Sequence, residues 1–178
     1  ESYAPKFQAV QLKTELMGLG SRLALVTGVS LSQALYALPL AAATSPAAAS
    51  AGPALKAVGW AGVGLAAAGL LIEHLADEQK FAAKRREPSA PVMDGLYAYC
   101  RHPNYFGEMV FHCGVCCFAI RGGRPLQALA CSAAPLFMAS VMVNAARRSD
   151  REGEHRYAEV AGYREWAART PALMPWLG

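Results

Sequence analysis

Gly95-Leu96-Tyr97-Ala98-Tyr99-Cys100-Arg101-His102-Pro103-Asn104-Tyr105-Phe106-Gly107-Glu108 runs without a break into the apolar segment Met109 to Ile120. Pro103 disfavours helical backbone at His102 and suits the first turn of a following helix. The spacing therefore predicts a helix beginning near Asn104, with Arg101 and His102 just outside it. The first helix amides, Arg101 and His102 would then face one point, where an anionic group could bind. Glu108 falls one turn inside, and a carboxylate at the mouth of an apolar helix needs a partner or a function.

The chain around this stretch is 54% hydrophobic and 17% charged, which is unlike an ordinary soluble domain. Uncharged runs near the ~20 residues that a span requires occur at Leu23 to Thr44 and Pro125 to Ala146. A run from Ala57 to Ile72 extends from Ala54 to Leu75 when Lys56 snorkels and Glu73 and His74 face protein or headgroups. Met109 to Ile120 reaches spanning length only with the polar turn Asn104 to Glu108 included, which places that turn inside the protein. The expected fold is all-α, an integral membrane helical bundle of about four transmembrane helices plus a C-terminal amphipathic helix. Residues 1–178 are read as one membrane domain, residues 1–72 holding two N-terminal spans and residues 73–178 the chemistry-bearing part.

Charge sets the orientation. Lys6, Lys13 and Arg22 precede the first span, Lys80, Lys84, Arg85, Arg86 and Arg101 follow the second, and Arg147, Arg148, Arg151 and Arg156 follow the fourth. The loop Ser45 to Pro53 carries no charge. Both termini and the central loop are thus expected on the cytoplasmic, stromal or matrix side, with Arg121 and Arg124 opposing. No nucleic-acid role is expected, because that needs a basic face on a soluble fold. The five cysteines, Cys100, Cys113, Cys116, Cys117 and Cys131, lie in or beside apolar segments and form no disulfide framework. Cys113 and Cys116 make a CxxC without a second ligand pair, so no metal is expected.

Smaller features complete the reading. Residues Glu1 to Gly20 read as an interfacial lead-in. Pro39 kinks or ends the first span, and Ser45 to Gly52 is a linker with no signal for structure. Gly59, Gly62, Gly64 and Gly69 form a small-residue packing stripe. Past Glu73 the helical period continues to Arg86, with Asp77, Lys80 and Lys84 on one face and the two lysines one turn apart. Such a pair suits a phosphate or lipid headgroups. Arg121-Gly122-Gly123-Arg124-Pro125 reads as a tight turn. Arg147 to Trp166 reads as an amphipathic helix with Tyr157, Val160, Tyr163 and Trp166 as its stripe, followed by an extended strap from Thr170 to Trp176.

These residues resemble a known family. Gly95-Leu96-Tyr97 followed by Arg101-His102-Pro103-Asn104-Tyr105-Phe106-Gly107-Glu108 is similar to the signature of membrane sterol reductases and of the C-terminal domain of steroid 5-alpha-reductase-like proteins. A looser version marks the related isoprenylcysteine carboxyl methyltransferases and small phospholipid methyltransferases. Asp77-Glu78-Gln79-Lys80 with Lys84, and Tyr157, Tyr163, Trp166 and the Thr170-Pro171 to Pro175-Trp176 tail, agree in order. The resemblance covers Glu73 to Trp176. It implies a cytoplasmic-side cofactor pocket in residues 73–178, holding NADPH in the reductases and S-adenosylmethionine in the methyltransferases. Carried over by position, Lys80 and Lys84 would contact phosphates, Tyr97, Arg101, His102, Asn104, Tyr105 and Glu108 would line the pocket, and Asp150 and Tyr157 would close it. The catalytic residue is unassigned, with Glu108 and Tyr105 as candidates, and Tyr36 is the one tyrosine in the N-terminal spans that could donate a proton.

Three functions follow. The first is an NADPH-dependent reductase acting on a lipid or isoprenoid double bond, favoured by the Asn-Tyr-Phe-Gly-Glu ending and the Gln79-Lys80 match. The second is a methyltransferase, which fits the chain's length and would use Arg147 or Arg148 for a carboxylate. The third is an accessory subunit of a larger membrane assembly, keeping the scaffold without catalysis. Membrane lipids, a lipid or isoprenoid substrate and other membrane subunits are the expected partners.

Overall fold

A computed structural model describes residues 16–120 and 125–175, except the side chains of residues 32, 33, 35, 36 and 127. The expected interfacial lead-in up to residue 15, the Arg121 to Arg124 turn, the Tyr36 side chain and Trp176 lie outside the described residues. The chain divides into two compact units, residues 1–37 and 38–178. Among the described residues every regular element is a helix.

The first unit contains most of α1 (Leu19–Ala43). Pro39 sits inside α1 without ending it, since a helix can continue past one missing N–H donor. The second unit begins with the last six residues of α1. The supposed linker then forms a helical turn, α2 (Pro46–Ala49), because Ser45 Oγ accepts the Ala48 N–H at 3.3 Å and Pro46 is preset for a first turn.

α3 (Pro53–Arg86) begins at a proline and ends in Lys84, Arg85 and Arg86, whose charges suit a helix C-terminus. A 3-10 turn (Gly95–Ala98) leads into α4 (Pro103–Ile120), whose first residue is the proline that the sequence marks as a helix start. α5 (Pro125–Arg156) and α6 (Tyr163–Arg169) follow. Two helices, Pro53–Arg86 and Ala128–Arg156, are long and apolar enough to cross a membrane, among the described residues; the apolar part of α1, Leu19–Leu31, is shorter.

Glycine brings α3 and α4 together. A Cβ on Gly69 would lie 2.4 Å from the Phe111 amide nitrogen, and one on Gly107 would lie 2.6 Å from that of Glu73. Two turns away, a Cβ on Gly114 would lie 2.3 Å from the Ala66 nitrogen, and one on Gly62 would lie 2.6 Å from the Gly114 carbonyl. Gly62 thus faces Gly114 while Gly69 faces Gly107, so the helices are antiparallel with their backbones in contact. A Cβ on Gly64 would meet nothing within 4 Å among the described residues, and Gly64 takes no part in this seam. Ala42, Cys116, Ala119 and Cys131 form a second buried cluster, closed by Ile120.

The expected amphipathic helix from Arg147 to Trp166 is divided. Its charged half continues α5 as far as Arg156. The chain then turns through Gly162, whose φ of 78° favours glycine, before α6 begins. Tyr163 and Trp166 are buried while Val160 is exposed, so the stripe is not one face.

Candidate functional site

The central motif is held from both sides. Tyr97, 4% exposed, donates its hydroxyl proton to the Ala76 carbonyl at 3.3 Å, and Trp166 Nε1 donates to the Tyr97 carbonyl at 2.9 Å. With Ala76 and Tyr163 these residues form one core, packed against Val92, Met93 and Leu96. Gly95 needs its φ of 63°, and its bare Cα lets the Gln79 side chain approach and accept the Leu96 N–H at 2.9 Å.

Pro103 keeps His102 out of helical backbone, so Arg101 and His102 stand just before α4. Their N–H groups donate to the Pro171 and Ala172 carbonyls at 2.9 and 3.0 Å, so the C-terminal strap pairs with the motif's backbone. The buried Cys100 thiol faces the Ala172 and Leu173 carbonyls at 3.3 and 3.1 Å.

Asp150, from the charged end of α5, joins the motif's side chains. Arg101 Nε and Nη2 donate to its two oxygens at 3.1 and 2.8 Å, a bidentate pair. Arg101 Nη1 donates to the Ala167 and Thr170 carbonyls. Four of the five donors that a guanidinium carries are thereby used internally. His102 Nε2 meets Asp150 Oδ1 at 2.8 Å. Burial pushes the imidazole below its ordinary value, aided by Arg101 and Lys80 and outweighing the bond and charge of Asp150. The ring is therefore neutral at physiological pH. An acceptor-only carboxylate assigns its proton to Nε2, leaving Nδ1 as an acceptor. Tyr105 stacks on His102 with centroids 5.3 Å apart and 15° between planes.

The α3 face supplies the other predicted residues. Asn104 Nδ2 donates to Asp77 Oδ1 at 3.1 Å. Lys80 is exposed and hydrogen-bonds to nothing among the described residues, yet lies near enough to act on His102. Glu108, half-buried, is in electrostatic reach of Glu73 and Asp77. Lys84 behaves differently: its ammonium donates to the Pro88 and Ala90 carbonyls and, at 2.9 Å, to the Tyr157 hydroxyl. Burial would raise the Tyr157 phenol, but the bonds and charges of Lys84 and Arg156 win and hold it below its usual range.

The residues expected at the site thus fall into two connected groups, Arg101–His102–Asp150 with stacked Tyr105, and Lys84–Tyr157. Asn104–Asp77 bridges α4 to α3, Tyr97 is buried behind, and the Lys80 and Glu108 side chains hydrogen-bond to nothing among the described residues. A cleft of about 390 Å³ opens beside the ion pair and adds Glu154, Tyr163 and Arg164 to Arg101 and Asp150. Glu154 was findable, standing one turn beyond Asp150 on the same helix face. Arg164 carried no such signal, because the turn at Gly162 aims α6. Arg147 and Arg148, the methyltransferase candidates, are exposed.

A family model described as a protein of unknown function, DUF1295, matches residues 6–170. No curated protein and no solved structure matches the chain.

Proposed function

The chain belongs to the DUF1295 family, and from that premise we propose that it is a membrane-embedded reductase that uses NADPH on a lipid or isoprenoid double bond. α1, α3, α4 and α5 would cross the bilayer, an even number on either side of the central loop, which puts the motif and both termini on the cytoplasmic, stromal or matrix side. One observation carries the reading: the motif between Arg101 and Glu108 gathers with Asp77, Lys80 and Asp150 at one end of α3, α4 and α5.

The donor set suits a dinucleotide. Lys80 offers an uncommitted ammonium to a phosphate, the His102–Tyr105 stack offers a ring face, and Asn104, Glu108 and Asp150 offer partners for ribose hydroxyls. Arg101, Tyr97 and Tyr157 set the walls behind them. Bound NADPH would supply a hydride. Glu108 or Tyr105, which stand nearest the apolar part of α4, would orient the substrate or pass it a proton.

One observation favours a second reading. Four Arg101 donors are spent on Asp150, Ala167 and Thr170, as expected if the motif caps a scaffold in an accessory subunit.

Thermal unfolding of the detergent-purified chain with NADPH and, separately, with S-adenosylmethionine tests the proposal. A ligand at about a hundred times its Kd stabilises the fold by roughly 2.7 kcal/mol. A shift with NADPH that Lys80→Ala weakens supports the reductase. A shift with S-adenosylmethionine alone transfers the site to methyl transfer. Silence with both leaves the accessory reading.

A further inference from the structure

The two lysines at the end of α3 stand one turn apart but have different surroundings. Lys80 is exposed and hydrogen-bonds to nothing among the described residues. Lys84 is half-buried, and its ammonium faces three oxygens: the Pro88 carbonyl at 3.2 Å, the Ala90 carbonyl, and the Tyr157 hydroxyl at 2.9 Å. An ammonium has three N–H donors, so none remains for a ligand.

The three oxygens belong to two separate stretches of chain. Pro88 and Ala90 lie in the loop that leaves α3, and Tyr157 is the first residue after α5. The same loop leads to the turn at Gly95–Ala98 and then to Arg101 and His102. A phosphate that captured Lys84 would strip two loop carbonyls of their donor, and an unmade hydrogen bond costs more than a made one contributes.

We propose that Lys84 is a positioning residue that staples the 87–94 loop and Tyr157 to α3, leaving Lys80 alone of the pair to meet an anionic ligand. The staple needs a compact ammonium, because three acceptors converge on one nitrogen. A planar guanidinium spreads its donors in a fork and cannot reproduce that convergence. Lys84→Arg therefore separates the staple from a phosphate contact: arginine keeps the charge and serves a phosphate well, but it breaks the staple. The positioning role rests on the NADPH reading above, whereas the staple itself does not.

The test uses the full chain in detergent, first without ligand. Cleavage before Asp94 by an aspartate-specific protease reports loop opening, and tyrosine absorbance during alkaline titration reports the Tyr157 phenol. Lys84→Arg, Lys84→Met and Tyr157→Phe should each speed cleavage about tenfold, as the loss of one well-formed hydrogen bond predicts, and Lys80→Met should leave it unchanged. Lys84→Met should also shift the early-titrating phenol upward, with Arg156 still acting on it, and Tyr157→Phe should remove it. NADPH and NADH binding then distinguish the two lysines. Lys84→Arg should weaken both dinucleotides by the same factor, while Lys80→Met should weaken NADPH more. The proposal is overturned if Lys84→Arg leaves cleavage unchanged, or if Lys84→Met loses NADPH alone with the loop intact. Should the wild-type chain bind neither dinucleotide, the NADPH reading fails, and cleavage and titration still decide the staple.

Discussion

Along one helix, α3, two modes of attachment follow each other. At Gly62 and Gly69 it meets the backbone of α4 closely, with no room for a Cβ. From Ala76 to Lys84 it is held by hydrogen bonds: Tyr97 on the Ala76 carbonyl, Leu96 on Gln79, and the Lys84 ammonium on the loop and Tyr157. On the proposed membrane placement, the difference follows from the solvent each part meets. Lipid tails are as apolar as leucine, so burying leucine there gains little, and close van der Waals approach between small residues must hold the helices. Beyond the apolar run, water competes for every polar group, and bonds that are convergent and partly buried fix orientation more than they add stability.

The contrast can be broken first at Arg101. Arg101→Ala strips the Asp150 carboxylate of its bidentate partner, leaving it only His102 Nε2 among the described residues, and takes the Nη1 donor from the Ala167 and Thr170 carbonyls. Both side chains of the pair are about one-fifth exposed, 19% and 23%, so the expected loss is about 3 kcal/mol, the lower end for a buried pair broken on one side. Unfolding midpoints in detergent check it. A loss below about 1 kcal/mol would rank the pair with ordinary surface ion pairs and remove the distinction drawn for the polar end.

The glycine seam comes next. Gly69→Ala or Gly107→Ala puts a methyl group against the facing backbone and should cost about 1–3 kcal/mol. Since the two glycines face each other, the double variant should cost less than the sum of its parts. Gly64→Ala, with nothing within 4 Å, should be neutral or gain up to about 1 kcal/mol from helix propensity. Equal losses at Gly64 and Gly69 would mean that general flexibility, and not contact, explains the stripe.

Acid gives the gentlest probe. Burial holds the His102 imidazole below its ordinary 6.5, so as pH falls the unfolded chain takes the proton first. Its contribution to stability is complete above about pH 6.5 and is lost as pH drops from there toward the lower folded value. His102→Gln keeps a donor for Asp150 and removes the titration. Its melting temperature should therefore fall less than that of the wild type between pH 7 and 5.5, and parallel slopes would show that the imidazole is not held neutral.

Much of the fold was legible. The apolar runs located α1, α3 and α5, and Pro103 marked the start of α4, because a proline's restrictions are local. The glycine stripe was visible as a stripe, but its working members were not. Gly62 and Gly69 meet α4, whereas Gly64 faces outward, and the choice depends on how α4 lies against α3. The turn at Pro46–Ala49 escaped notice because an alanine-rich segment reads as a linker until its Ser45 cap is placed. The break before α6 was equally hidden, since Tyr157, Val160, Tyr163 and Trp166 keep helical spacing across a glycine that leaves the helix.

At the site, the residue types were readable and their commitments were not. The sequence alone determined where helices run, which end of them is polar, and that Arg101, His102, Asn104, Glu108 and the two lysines crowd that end, because composition and period are properties of short stretches. Only the tertiary structure decided that Asp150 binds both Arg101 and His102, that the strap at Pro171 and Ala172 pairs with the motif's backbone, and that Lys84 is spent while the Lys80 side chain has no hydrogen-bond partner among the described residues. A hydrogen bond's partner is chosen by convergence in space within about 3 Å, and residues far apart in the chain meet at that distance only once the helices have packed.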